Sequence, residues 1–372
     1  VLGKRWIFIG ILALAGLFIF VLIGQQISAP ERVVKQFESA VRDNQPKQLL
    51  NILVSGDPDR KVDVHAAKAM IADYRSDRKA WKKAADGLRE QIADRSSDSS
   101  NVSVTRTGRT LLFFPKYKIK VRDVQVTVTG AEDGDKVVLT FSGRAAKLKK
   151  KGPLSYVSVF PGRYKLEKQV INDLGIFSKS ENLSIRGETS VTVDAEGWIQ
   201  SDRSVREQLI RTVHQFNQEV SVWETALYNP KKLVSATNDF RNGESAVRFA
   251  EFNRIKSRVS EIQSAYLGMS VNMDSLSVTR YGGKWGAEVD AFVSYRYAYR
   301  LKKEKNLRDA SYKRGLRFRL IYHPTGKKWL VSGLENTYDS EPTVSEWEKK
   351  EDVRVTDPKV MKWQVNGSGP QL

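Results

Sequence analysis

The chain has 372 residues, 40% apolar and 28% charged, which describes several folded domains and excludes a disordered or fibrous protein. It has no cysteine, so disulfides, thiolate nucleophiles and cysteine zinc sites are excluded together. Its 62 Lys and Arg against 43 Asp and Glu leave a formal charge of +19, a field that attracts polyanions in a salt-dependent way.

Trp6 to Gly24 reads WIFIGILALAGLFIFVLIG, without one charged side chain. At about 1.5 Å per residue, a helix of that length spans the roughly 30 Å hydrocarbon layer and satisfies its own backbone hydrogen bonds there. Lys4 and Arg5 precede the run and a nearly charge-balanced stretch follows, so the amino terminus is predicted inside and the bulk of the chain outside the cell membrane. Ile27-Ser28-Ala29 makes a poor signal-peptide cleavage site, which favours a retained single-pass anchor over residues 1–27. With that anchor, the positive charge points to anionic lipid head groups or acidic wall polymers and not to nucleic acid.

Residues 28–98 read as a small helical domain. Val34, Phe37 and Val41 repeat at helical spacing, as do Trp81, Ala85, Leu88 and Ile92, with breaks at Asp43 to Pro46 and Gly56 to Pro58. Residues 99–200 are β-rich. Tyr117, Ile119 and Val121 alternate with basic residues, and Val124, Val126 and Val128 alternate in the opposite phase, so a bulge or tight bend is expected at Asp123. Further strands are predicted at 137–141, 156–160, 163–166 and 190–193. Arg144, Lys147, Lys149, Lys150 and Lys151 crowd one connection, which reads most simply as a solvated loop.

Residues 201–341 open with a helix over 204–228 whose apolar positions are Leu209, Val213, Phe216, Val220, Trp223 and Leu227, capped by Asp202 or Ser204. Helical sequence is expected to continue through 253–267. Long strands follow at 276–281, 286–301, 315–322 and 328–334, joined by hairpin turns at Tyr281 to Lys284 and Pro324 to Lys327. Helices followed by an antiparallel meander predict a curved sheet wrapped on helices, in a multidomain α+β chain. Residues 342–372 read as a polar tail, poorly ordered at its end.

The order of anchor, the helical QFESAVRDNQPKQLLNIL (Gln36 to Leu53), LLFFPKYKIKVRDVQVTV (Leu111 to Val128), VFPGRYKLEKQV (Val159 to Val170) and the closing GKKWLVSGLE (Gly326 to Glu335) resembles the TcaA/YvbJ family. These are membrane-associated envelope proteins of Gram-positive bacteria, linked to glycopeptide (teicoplanin) susceptibility. The resemblance implies that the last domain is similar to the nuclear-transport-factor-2-like fold, a cone of curved sheet and helices around a cavity. It also implies a four-cysteine zinc ribbon ahead of the anchor. No cysteine lies in these residues, so the resemblance is to a ribbon-less or truncated member.

No catalytic, metal or phosphate-loop spacing is present, and His65, His214 and His323 fall in three separate stretches. His214 with Asp290 or Glu288 is the single acid–base pairing to test. In Ser294 to Arg300, alternation puts Tyr295, Tyr297 and Tyr299 on one face and Arg296 and Arg300 on the other. Arg317 and Arg319 repeat the device on the next strand, so four guanidinium groups sharing a face would suit phosphate or carboxylate. The tyrosines, with His214, would line the concave side as cavity wall or core filler. The expectation is a non-catalytic extracytoplasmic binding protein without cofactor or metal, whose partners are the membrane and an anionic wall polymer or envelope protein. The alternatives are an envelope-acting enzyme using the terminal cavity, and a regulatory partner of a membrane enzyme or sensor kinase.

Overall fold

The computed structural model describes residues 28–94, 101–110, 113–151 and 154–365, with Leu14 and Gln26 as single helical positions. Apart from Leu14 and Gln26, the expected anchor lies outside the described residues, and no helix among the described residues is long and apolar enough to cross a membrane. The chain divides into two compact units. The first runs to Ala131 and resumes over Val137–Val170 and Ser178–Val193; the second comprises Glu132–Lys136, Ile171–Phe177 and the chain from Asp194 onward.

In the first unit, helices α1 (Pro30–Arg42), α2 (Pro46–Ile52), α3 (Val64–Ser76) and α4 (Arg78–Asp94) stand where the periodicity predicts, with strand β1 (Leu53–Ser55) after α2. Pro30 and Pro46 occupy the first turns of their helices, where the missing N–H costs nothing. Phe37 of α1 is fully buried, with the Tyr74 and Trp81 rings at 5.9 and 5.6 Å. Strands β2 (Val102–Thr110) and β3 (Phe114–Val121) form an antiparallel hairpin, and β1 joins β3 in parallel with Leu53 opposite Ile119. Phe37, Leu49, Met70 and Leu88 share one core with Val102, Ile119 and Val121. The boundary expected at residues 98–99 therefore falls between two elements of a single core.

The phase slip at Asp123 is a change of sheet. β3 ends at Val121, and β4 (Val124–Thr129) pairs instead with β8 (Leu154–Val159) and, in parallel, with β11 (Thr189–Thr192); β7 (Lys149–Lys151) completes that sheet. A second four-stranded sheet orders β10 (Gly175–Ile185), β9 (Gly162–Asn172), β5 (Lys136–Phe141) and β6 (Arg144–Ala145).

The second unit carries α5 (Ala195–Ser201), α6 (Arg203–Thr225), α7 (Asn238–Asn253) and a seven-stranded sheet. Asp202 is the cap of α6, accepting a 3.1 Å bond from the Val205 N–H, and Leu209, Val213, Phe216, Val220 and Trp223 are all buried. The main path of the sheet is β16 (Lys328–Asn336), β15 (Tyr312–His323), β13 (Lys284–Leu301), β12 (Val259–Tyr281) and β17 (Lys350–Arg354), with β14 (Arg308–Asp309) on β13 and β18 (Met361–Gln364) on β12. Gly282 and Gly283, with φ of 57° and 77°, make the two-residue turn between β12 and β13 that demands left-handed backbone at both positions.

Two expectations are corrected here. Residues 259–267 are strand and not helix. Register shifts between Val259 and Glu261 and between Tyr266 and Gly268 each insert a residue, so buried Val259, Ile262, Tyr266 and Met269 fall at intervals of three and four that mimic a helical repeat. The region from 342 is also not simply a tail. A short helix α8 (Glu341–Ser345) leads into β17 and β18, which pair with the long β12 and satisfy backbone groups that an edge would leave open.

Candidate functional site

In the second unit, strand alternation separates the predicted residues as expected, but ion pairing decides what the arginines do. On β13 the odd positions from Trp285 to Tyr295 are buried, with Tyr295 only 2% exposed, whereas Tyr297 and Tyr299 are partly buried and Arg296 is exposed on the even face. Register pairs Glu288 with Arg319 and Asp290 with Arg317, and the β13–β15 ladder ends at Tyr295 opposite Tyr312. Arg317 holds Asp290 through two bonds of 2.7 and 2.9 Å, and Arg319 reaches Glu335 at 2.6 Å and Glu288 at 3.4 Å. Arg300 is paired with Glu261. The four arginines share a face by alternation, but Arg296 and the residue opposite Arg317 are six positions apart on β13, roughly 20 Å along the strand. The face presents a ladder of opposite charges and not a cluster of free guanidinium groups.

The tyrosines and His214 face the interior. The Tyr295 hydroxyl donates to Asn217 Oδ1 at 2.6 Å, and its ring stacks on Tyr312 at 5.0 Å. Tyr297 and Tyr299 pack against a smaller cluster of Phe252, Val259 and Ile262 with Trp363. His214 meets neither Asp290 nor Glu288. Its Nδ1 lies 3.4 Å from the Tyr266 hydroxyl and its Nε2 3.1 Å from Gln218, while Asp290 is held by Arg317, so the acid–base pairing considered from the sequence is not formed. Phe216, Phe318, Trp285, Trp329 and Tyr295 fill the body of the unit as one apolar core.

One ionisable group at this inner end was not anticipated. Glu224 of α6 is half-buried, accepting bonds from Ser264 Oγ at 2.6 Å and Tyr312 Oη at 3.3 Å, and burial raises its carboxyl above the ordinary value of 4.5. An acid whose folded value is raised contributes stability that is present below its unfolded value and lost as pH rises through the folded one. Glu224→Gln is therefore expected to stabilise the second unit more at pH 7.5 than at pH 4.5. Urea midpoints followed by tryptophan fluorescence check this, and an equal change at both pH values would contradict it.

The first unit holds an open cavity of about 440 Å³ that sequence reasoning did not assemble. Its floor is apolar: Phe141, Val157, Val159, Phe160 and Tyr164. The Tyr164 ring meets Phe141 edge-on at 5.6 Å, its hydroxyl donates to the Phe160 carbonyl at 2.8 Å, and burial pushes the phenol up. The rim carries five basic residues, Arg60, Lys61, Arg144, Lys147 and Lys149, against Asp57 and Asp63. Arg60 is paired with Asp123 and lies 4.8 Å above the Phe160 ring; Arg144 is paired with Asp63, which also caps α3 through the Ala66 N–H at 2.9 Å. Lys61, Lys147 and Lys149 pair with no carboxylate among the described residues. The signal in the sequence was the basic connection 144–151. It lies beside the Asp57 to Ala66 segment, some eighty residues earlier, where Arg144 pairs with Asp63. An apolar floor under a cationic rim suits an anionic ligand with a nonpolar or ring-shaped body. Among the described residues, no group of His, Asp or Glu is placed to hold a metal ion.

Comparison with known proteins finds a match within each unit. Residues 30–121 match the family model described as TcaA protein second domain, and residues 209–335 match the one described as YvbJ NTF2-like domain. A curated relative, the uncharacterized membrane protein YvbJ of Bacillus subtilis (strain 168), is 25% identical over 172 residues, which is 46% of this chain. The matched stretch spans 28% of that relative's own length. A solved structure described as an Ntf2 like protein involved in plasmid conjugation aligns over 72% of this chain and 90% of its own, with 12% identity and a TM-score of 0.18.

Proposed function

For a chain that carries both a TcaA second domain and a YvbJ NTF2-like domain, and so belongs with the membrane-associated TcaA/YvbJ family, we propose a non-catalytic binding role at the outer side of the cell membrane. The ligand is an anionic wall polymer, or an envelope partner that presents one, and its capture influences wall integrity and glycopeptide susceptibility. The observation that carries this reading is the cationic cavity of the first unit, where three lysines stand without carboxylate partners among the described residues above an apolar floor. The outer-face arginines Arg296, Arg300, Arg317 and Arg319 are the second cationic set, and three of them already hold carboxylates that a polymer has to displace. We assign them the smaller share. A catalytic alternative lacks support from His214, whose polar neighbours are a tyrosine hydroxyl and an amide.

The test is co-sedimentation of the full chain, in mild detergent, with purified bacterial wall, with and without its anionic polymers, across a salt series. Binding is expected to require the polymers and to fall steeply as salt screens the attraction. Exchange of Lys61, Lys147 and Lys149 together for Ser should weaken it more than exchange of the four arginines. Equal binding to stripped wall, or indifference to salt, would sink the proposal.

A further inference from the structure

The β2–β3 hairpin combines basic strands with an exposed aromatic residue at its turn. Residues 102–121 contain Arg106, Arg109, Lys116, Lys118 and Lys120 and not one Asp or Glu. Arg106, Arg109, Lys116 and Lys118 pair with no carboxylate among the described residues. At the turn between the two strands, Phe113 stands 74% exposed, and the sequence that leads into it, Leu111-Leu112, is apolar. An exposed aromatic flanked by unpaired bases is costly at a water-facing turn and favourable at an anionic lipid surface, where the ring enters the head-group boundary and the bases meet phosphate.

The position of the hairpin picks out which surface this is. Pro115, Lys116 and Lys118 line one cleft of about 190 Å³ with Ser28, Ala29 and Arg32 at the entry to α1. Ser28 lies four residues after Gly24, so at most about 14 Å of chain separates that cleft from the end of the apolar run. The turn end of the hairpin thus lies on the side of the domain from which the chain leads back to the apolar run.

We propose that the β2–β3 hairpin is a second membrane contact, in which Phe113 inserts at the head-group boundary of an anionic bilayer while Arg109 and Lys116 bind lipid phosphates. The proposal rests on reading Trp6 to Gly24 as an anchor. Together the two contacts fix the tilt of the first unit against the membrane, which a single helix followed by a short connection does not do.

The absence of cysteine allows a direct test. The full chain is reconstituted into vesicles of phosphatidylglycerol and phosphatidylcholine containing brominated acyl chains. A polarity-sensitive fluorophore is attached at Phe113→Cys, at Leu14→Cys in the apolar run, and at Tyr281→Cys, a turn position in the second unit that is 91% exposed. The Phe113 label is expected to shift to the blue and lose most of its emission to the bromines, and the Tyr281 label to stay aqueous. Adding Arg109→Glu and Lys116→Glu, or omitting phosphatidylglycerol, should return most of the Phe113 signal. A quenched Leu14 label beside an unquenched Phe113 label overturns the hairpin contact and leaves the anchor standing. Quenching at Phe113 without quenching at Leu14 supports the hairpin contact and refutes the anchor. Quenching at neither refutes both.

Discussion

Tyr295→Ala is expected to destabilise the second unit by about 3–5 kcal/mol, the range for removing a large buried aromatic from a close-packed core. The side chain is 2% exposed, between Tyr266 at 5.4 Å and Tyr312 at 5.0 Å, and little around it is free to collapse into the void. Tyr295→Phe separates packing from hydrogen bonding. Asn217 donates its amide to the Val213 carbonyl at 2.7 Å, and among the described residues the Tyr295 hydroxyl alone satisfies its Oδ1, so the phenylalanine variant should still lose about 1–3 kcal/mol. Six of the eight tryptophans lie in the second unit, which makes fluorescence-monitored urea unfolding a suitable measurement. A Tyr295→Phe variant as stable as the parent would mean that the buried Asn217 finds another donor.

The second large effect is expected at Arg280. Its side chain is 8% exposed and pairs at 3.1 Å with Asp135, whose side chain is fully buried; Asn172 adds a bond of 3.2 Å to the same carboxylate oxygen, and the Trp285 ring lies 5.2 Å from the guanidinium. Gly134 is required beside it, because its φ is +93° and a Cβ there would sit 2.6 Å from the Arg280 terminal nitrogen. Arg280→Leu removes the cation and leaves a buried carboxylate uncompensated, a loss of about 3–5 kcal/mol. Adding Asp135→Asn should restore a large part of it, since the cost lies in the unpaired charge more than in the pair itself. If the double variant is as unstable as Arg280→Leu alone, packing of the arginine stem and not charge compensation is what holds this turn.

Much of the architecture was legible because it follows from local rules. The breaks at Pro46 and Pro58, the Asp202 cap, the amphipathic face of α6 and the Gly282-Gly283 turn are each fixed by a few neighbouring residues and their backbone preferences. The family resemblance read from the ordered segments also holds over both matched regions. What misled was periodicity under bulges: two inserted residues in β12 turned a strand's alternation into an apparent helix. The polar strands β17 and β18 carried little signal of their own, because their stability comes from the ladder they complete on β12.

The candidate site divides along the same line. From the sequence alone come the net positive charge, the alternation that turns Tyr295 inward and Arg296 outward, and the crowding of bases at 144–151, since each depends only on residue type and the period of the strand. Only the tertiary structure decides which of those charges are free. Arg317 and Arg319 are neutralised by carboxylates that register places opposite them, whereas Lys147 and Lys149 meet Lys61 across an apolar floor. The physical reason is that charge is a property of the residue but compensation is a property of the pair, and pairing across strands or loops is set by the closure of distant segments on one another.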